Sequence, residues 1–153
     1  VAVGLSVLVL LVEVARPHSA ALGFVPDLAG MHDVEDFPDS YEEPGLLIFR
    51  YDSPLFFANA QNFLSHARAL LADRQDVQWF ALQCEAIIEV DSTGVEALVT
   101  LADELDRHHI TFVLVRAKSE LQDQLARTPL LDRIGAHHVY PTLPTLVAGY
   151  RAR

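Results

Sequence analysis

Two hydroxyls, a carboxylate and a glycine fall together in Asp91-Ser92-Thr93-Gly94, between the apolar residues around Ile88 and Val90 and a helical stripe that begins at Val95. A helix starting there would present free N–H groups and the positive end of its dipole, an environment suited to an anion. Thr93 and Glu96 have capping-box spacing, which predicts Thr93 as the cap and leaves Ser92 just outside the helix, facing water. The same spacing also permits Ser92 to be no more than a second capping hydroxyl. The other chemistry-bearing residues are less promising. His108-His109 and His137-His138 are adjacent pairs without the i, i+4 spacing of a helical metal site, so they read as helix-end and loop residues and no metal site is expected. Cys84 is the single cysteine, has no basic neighbour in sequence, and reads as an inert buried thiol in a reducing compartment. No phosphate loop, dinucleotide-binding glycine motif or nucleophile elbow is present. A phospho-receiver domain is disfavoured too, because it needs paired acids after its first strand and Asp52 stands there alone. No catalytic residue is assigned, and the chain does not read as an enzyme.

The elements that must hold the turn alternate between two periods. Leu46–Tyr51, Val77–Leu82 and Ile110–Val115 are short apolar runs rich in β-branched and aromatic residues, which predict buried strands. Ala60, Phe63, Leu64, Ala67, Leu70 and Leu71 repeat at helical spacing, as do Val95, Leu98, Val99, Ala102 and Leu105. These stripes predict helices over 58–73 and 93–107. A third helix, over 119–127, opens with a capping-box pair Ser119 and Gln122 and breaks before Pro129. A short edge strand around His138–Tyr140 and a last helix from Pro144 towards Arg151 complete the pattern. Strands alternating with helices predict an α/β fold, with a central, mostly parallel β-sheet of four to six strands and helices packed on it.

Composition divides the chain. With 51% hydrophobic residues the 153 positions suffice for one well-packed domain. The formal charge of −10 has the wrong sign for a nucleic-acid surface. Seven of the acids, Asp27, Asp33, Glu35, Asp36, Asp39, Glu42 and Glu43, lie in one segment without Lys or Arg. That segment reads as a solvated connector, with a regulatory contact to basic loops as the functional alternative. Residues 1–12, VAVGLSVLVLLV, carry no charge, and Glu13, Arg16 and Pro17 follow. Twelve residues cannot span a bilayer, which needs about 20, and the basic flank and cleavage site of a signal peptide are missing. The stretch is therefore read as the end of a membrane helix, with a buried soluble element as the alternative. The expected division is 1–16 as the end of a last transmembrane helix, 17–44 as an acidic linker with a short strand, and 45–153 as the folded domain.

The Asp91-Ser92-Thr93-Gly94 turn, between an apolar strand and an amphipathic helix, resembles the signature of STAS domains, shared by anti-sigma-factor antagonists and the C-terminal domains of SulP anion transporters. Arg16-Pro17-His18, Leu22-Gly23, Val25-Pro26, Pro44-Gly45 and the block from Tyr51 through Ala60 (YDSPLFFANA) resemble the transporter branch, over about residues 1–150. The resemblance implies a STAS-like fold and a regulatory or assembly domain on the cytoplasmic side of a membrane sulfate or inorganic-anion transporter. Its implied partners are the transmembrane part of the same transporter, a second copy of the full-length protein in a homodimer, and a regulatory protein or kinase. In free antagonists the serine after the aspartate is phosphorylated, and Ser92 occupies that position. The alternative readings are such an antagonist, switched at Ser92, or a sensor that binds a purine nucleotide such as GTP or ATP weakly at Ser92, Thr93 and Gly94. No other cofactor is implied.

Overall fold

The computed structural model describes residues 1–153. Six strands form one sheet: β1 Ser19–Phe24, β2 Met31–Asp33, β3 Leu46–Tyr51, β4 Trp79–Gln83, β5 Thr111–Val115 and β6 Val139–Tyr140, in the order β2-β1-β3-β4-β5-β6. From β3 to β6 every pairing is parallel, while β1 runs antiparallel to both β2 and β3. The mostly parallel sheet agrees with the sequence expectation. Its strands are apolar on both faces because helices cover both. On one side Phe49, Tyr51, Phe80 and Leu114 pack with Phe63 and Ala67 of α2 (Ala60–Ala72), Leu98 and Leu101 of α3 (Ser92–Arg107) and Leu121 and Leu125 of α4 (Ser119–Ala126). On the other, Ile48, Trp79, Ala81 and Val113 meet Leu146, Val147 and Tyr150 of the C-terminal helix, α6 (Leu143–Arg151). The Tyr150 hydroxyl donates to the Pro44 carbonyl at 2.6 Å, which fixes that helix to the entry of β3.

Two local expectations need correction. The N-cap of α3 is Asp91, not Thr93, so Ser92 and Thr93 lie inside the first turn of the helix. Asp91 wins because its extended backbone directs the carboxylate over the helix start, and Oδ1 accepts the Gly94 N–H at 2.7 Å. The capping box expected at Ser119 and Gln122 is absent: extended Lys118 precedes the helix, and Gln122 instead donates to the Ala117 carbonyl at 2.8 Å. The third helix does end before Pro129, as its sequence predicts. Pro129 opens a further helix, α5 (Pro129–Ile134), with Thr128 capping the Leu130 N–H, because proline at the first helical position starts a helix as readily as it ends one.

The N-terminal segments join this body in different ways. Helix α1 (Ala2–Ala15) buries none of its residues. Its 14 residues make about 21 Å, short of a hydrocarbon core of about 30 Å, and no helix of the chain is long and apolar enough to cross a membrane. The acidic segment, by contrast, does not lie wholly in water. Asp33 is 5% exposed and accepts from the Glu35 N–H at 3.0 Å, with the His18 ring 3.1 Å from its other oxygen. Glu42 pairs with Arg74 after α2, and Arg151 of α6 pairs with Glu43, holding that carboxyl below its ordinary pKa. These are contacts with basic residues of the same chain. Asp27, Glu35, Asp36 and Asp39 remain exposed.

Candidate functional site: the Asp91–Gly94 turn and its bracing loop

Two stretches distant in sequence, residues 51–60 and 91–94, meet beyond the C-terminal ends of the parallel strands β3 and β4. After β3 the chain enters a loop whose centre, Leu55, is fully buried. Leu55 forms an isolated parallel bridge with Val90: its N–H donates to the Glu89 carbonyl at 3.0 Å, and its carbonyl accepts the Asp91 N–H at 3.1 Å. Asp91 completes the joint, since Oδ2 accepts the Phe57 N–H at 2.9 Å while Oδ1 caps the helix. One carboxylate therefore satisfies the N–H of Gly94, three positions on, and that of Phe57, 34 positions back. Gly94 is required by the same packing, because a Cβ there would stand 2.5 Å from the Leu55 carbonyl oxygen.

The loop is internally braced by Asn59, which is fully buried. Its Oδ1 accepts the Phe56 N–H at 3.0 Å, and its Nδ2 donates to Ser53 Oγ at 3.1 Å and the Pro54 carbonyl at 2.9 Å. A buried amide with this many partners defines one loop conformation. From the far side, Gln124 of α4 accepts the Val90 N–H at 3.0 Å. Asn59 and Phe57 were within the resemblance block, but no spacing rule marks a brace or a long-range cap; only the polar residue ending an apolar loop hints at it.

The turn offers a surface rather than a pocket. Ser92 is exposed at the first position of α3, and Thr93 is half-buried beside it. A cavity of about 670 Å³ lies nearby, lined by Glu85, Arg116, Lys118, Gln122 and Asp132 among others, and no residue of the turn lines it. Between Arg74 and Arg107 the chain carries no Lys or Arg, so the turn has no basic residue of its own for a phosphate. The remaining candidates fall outside this site. Cys84 is buried, and burial pushes its thiol up to about 12, which makes it unreactive at neutral pH. His108 and His109 end α3, with His109 at a positive φ of 58°, and His137 and His138 lie in a short 3₁₀ turn over Ala136–His138. No group of three or more His, Cys, Asp or Glu side chains converges in a way that could hold a metal ion.

This arrangement of sheet, helices and turn has known relatives. The family profile described as the STAS domain matches residues 37–146. A "probable sulfate transporter" of Mycobacterium tuberculosis is 48% identical over 155 residues, a match covering 99% of this chain and 27% of that protein. Among solved structures, the murine Slc26a9 anion transporter in its inward-facing state superposes with a TM-score of 0.83 at 22% identity, over 97% of this chain and 24% of that one. The STAS domain of a SulP transporter from Vibrio cholerae superposes with a TM-score of 0.61 at 20% identity, over 74% of this chain and 90% of that domain. The chain thus spans about a quarter of the length of the transporters it matches. With the profile covering most of its length and nearly half of its residues shared with one such relative, the chain belongs to the STAS domain family and is homologous to the STAS domains of SulP sulfate transporters.

Proposed function

We propose that this chain is the cytoplasmic C-terminal STAS domain of a membrane transporter for sulfate or a related inorganic anion, regulating or assembling that transporter through protein contacts at the Asp91–Gly94 turn. The observation that carries the reading is the 48% identity to a probable sulfate transporter across 99% of this chain. The exposed apolar helix α1 supports it. A helix with mean apolar character on all sides and no buried residue has no partner in the folded domain, and lipid is the environment that would accept it. The superposition on Slc26a9 leaves out only 3% of this chain, so most of α1 falls within the shared architecture.

The turn suits a contact rather than catalysis. It combines an exposed hydroxyl with a backbone fixed from two sides, while the helix faces and strands around it are committed to the core. The test is anion uptake by the full-length protein in cells lacking their own sulfate uptake. Ser92→Glu should change uptake by about fivefold or more at equal abundance in the membrane, the lower range of ordinary coupling between sites. Unchanged uptake, with altered uptake from changes elsewhere on the domain, would reduce the turn to a helix cap.

A further inference from the structure

Outside the C-terminal ends of β4, β5 and β6 lies the cavity of about 670 Å³ that the Asp91–Gly94 turn does not line. Open α/β sheets take up small ligands on that side, and the volume falls within the usual range of about 300–1,000 Å³ for such sites. Its walls come from three connections: Glu85 follows β4, Arg116 and Lys118 lie between β5 and α4, and Asp132 stands on α5. Ala117, Gly135 and Ala136 line the space with little side chain and so leave it open.

Arg116 is fixed in this wall. Its backbone takes the left-handed conformation, at φ 57°, which costs a residue with a Cβ about 1–2 kcal/mol and persists only where the surroundings hold it. Here its N–H donates to the Tyr140 carbonyl at 2.9 Å, and its Nη2 donates to Glu85 Oε1 at 2.8 Å. Glu85 is held in turn, since its other oxygen accepts from Nε2 of the buried Gln83 at 3.1 Å. Lys118 and Asp132 line the same cavity, are exposed, and take part in no ion pair.

We propose that this cavity binds a small zwitterion, an α-amino acid with a compact apolar side chain. Charge decides the class. Arg116 and Lys118 are offset by Glu85 and Asp132, so the lining carries no net charge, and an inorganic oxyanion such as sulfate would meet two carboxylates along with its two cations. A ligand of both signs uses the two side chains left without partners. Its carboxylate reaches Lys118, beside the start of α4, where no side chain caps the helix, and its ammonium reaches Asp132. The ligand's side chain then rests on Leu131 and Val139, which line the cavity and pack against the core. Bound in this way, the ligand ties the start of α4 to α5. Both charged contacts lie in water, so the affinity belongs in the millimolar range.

The experiment titrates the purified chain with L-valine, up to about 20 mM, and follows its backbone amide resonances. Valine should shift Lys118–Leu121 and Leu131–Ala136 in a saturable way. Isobutylamine and 3-methylbutanoate, which each lack one of valine's charges, should bind about threefold or more weakly, and sulfate at matched ionic strength should leave these residues unmoved. Lys118→Gln and Asp132→Asn should each weaken valine about threefold or more with an unchanged thermal midpoint, whereas Asp123→Asn, exposed on α4 and outside the cavity, should not. No saturable shift with valine, equal binding of either singly charged probe, displacement of valine by sulfate, or Lys118 and Asp132 variants that bind valine as the parent does would each overturn the proposal. The transporter reading stands apart from every one of these results, because it rests on the sequence match and not on the cavity.

Discussion

Replacing Gly94 with alanine sets a local gain against a tertiary cost. Within a helix the exchange favours alanine by about 1 kcal/mol. At this position, however, the new methyl would lie 2.5 Å from the Leu55 oxygen and 3.0 Å from its carbonyl carbon, where ordinary contact begins at 3.4 Å. Helix or loop must move by roughly 1 Å. Leu55 cannot yield freely, since it is fully buried and its N–H and carbonyl are bonded to Glu89 and Asp91. Overpacking of this kind costs about 1–3 kcal/mol, and each backbone bond lost adds about 1 kcal/mol. The tertiary cost wins, with a net loss of about 2 kcal/mol, or about 4–8 °C in the thermal midpoint for a chain of this size. Circular dichroism melts of the purified chain measure it, and faster amide exchange at Phe57 and Asp91 should accompany it. Gly4→Ala in α1 is the control, because a methyl there meets nothing within 4 Å and only the propensity gain remains. A midpoint for Gly94→Ala equal to or above that of the parent protein would refute the close approach of α3 to the loop.

Ser92→Glu should fold normally, at a cost of about 1 kcal/mol or less, because the attraction of the helix start for a negative charge offsets repulsion from Asp91; a melt shifted by ten degrees would contradict this. Deleting residues 1–16 should leave the midpoint within about 2 °C, since α1 buries nothing, and a larger fall would mean that the helix packs on the body. Stability should hold up to about pH 8.5 and decline from there towards pH 12: burial raises the Cys84 thiol to about 12 and pushes the Tyr51 phenol up as well, so the unfolded chain releases those protons first. Melts from pH 7 to 11 check it, Cys84→Ala should flatten the early part of the decline, and a level profile in the parent protein would contradict the burial. If a purine nucleotide binds the turn, ATP or GTP near 1 mM should shift the Ser92, Thr93 and Gly94 amide resonances, and unmoved resonances would remove the nucleotide reading.

The fold was legible where periodicity and burial coincide. The runs at Leu46–Tyr51 and Thr111–Val115 are apolar on both faces because both faces are covered, and the stripe from Val95 to Leu105 is the buried side of α3. Legibility failed where a long-range bond decides a local question. Thr93 with Glu96 and Asp91 with Gly94 are both acceptable caps by spacing; the second prevails in a structure where Asp91 also receives the Phe57 N–H. The brace at Asn59 is equally invisible, since its partners are loop backbone and one serine. Strand β2 has three residues, too few for a period, and exists through pairing with β1. The Asp91–Gly94 turn was legible from its residue types at a helix start and residues 51–60 only through a resemblance, and the geometry supplies what joins the two blocks.

That joint bears on how a small change at Ser92 would be felt elsewhere. Ser92 has no neighbour in the core to push, but it follows directly on the aspartate that ties α3 to Phe57. A phosphate there adds a charge of about −1.5 to −2 beside a carboxylate whose two oxygens are already engaged. The helix start returns about 0.3–1 kcal/mol for a negative charge, comparable to the repulsion expected between exposed charges, so α3 itself need not melt. The weaker partner is the loop amide of Phe57, which water can satisfy if the ring swings away. From that loop the path to α1 is short and stiff: Asn59 holds residues 53–56, β3 carries the loop's root, and Asp52 and Tyr51 bond or pair with His18 and Ser19 at the helix exit. A charge on Ser92 should therefore weaken the Phe57–Asp91 bond before it disturbs α3, an outcome that faster amide exchange at Phe57 with a nearly unchanged thermal midpoint would check.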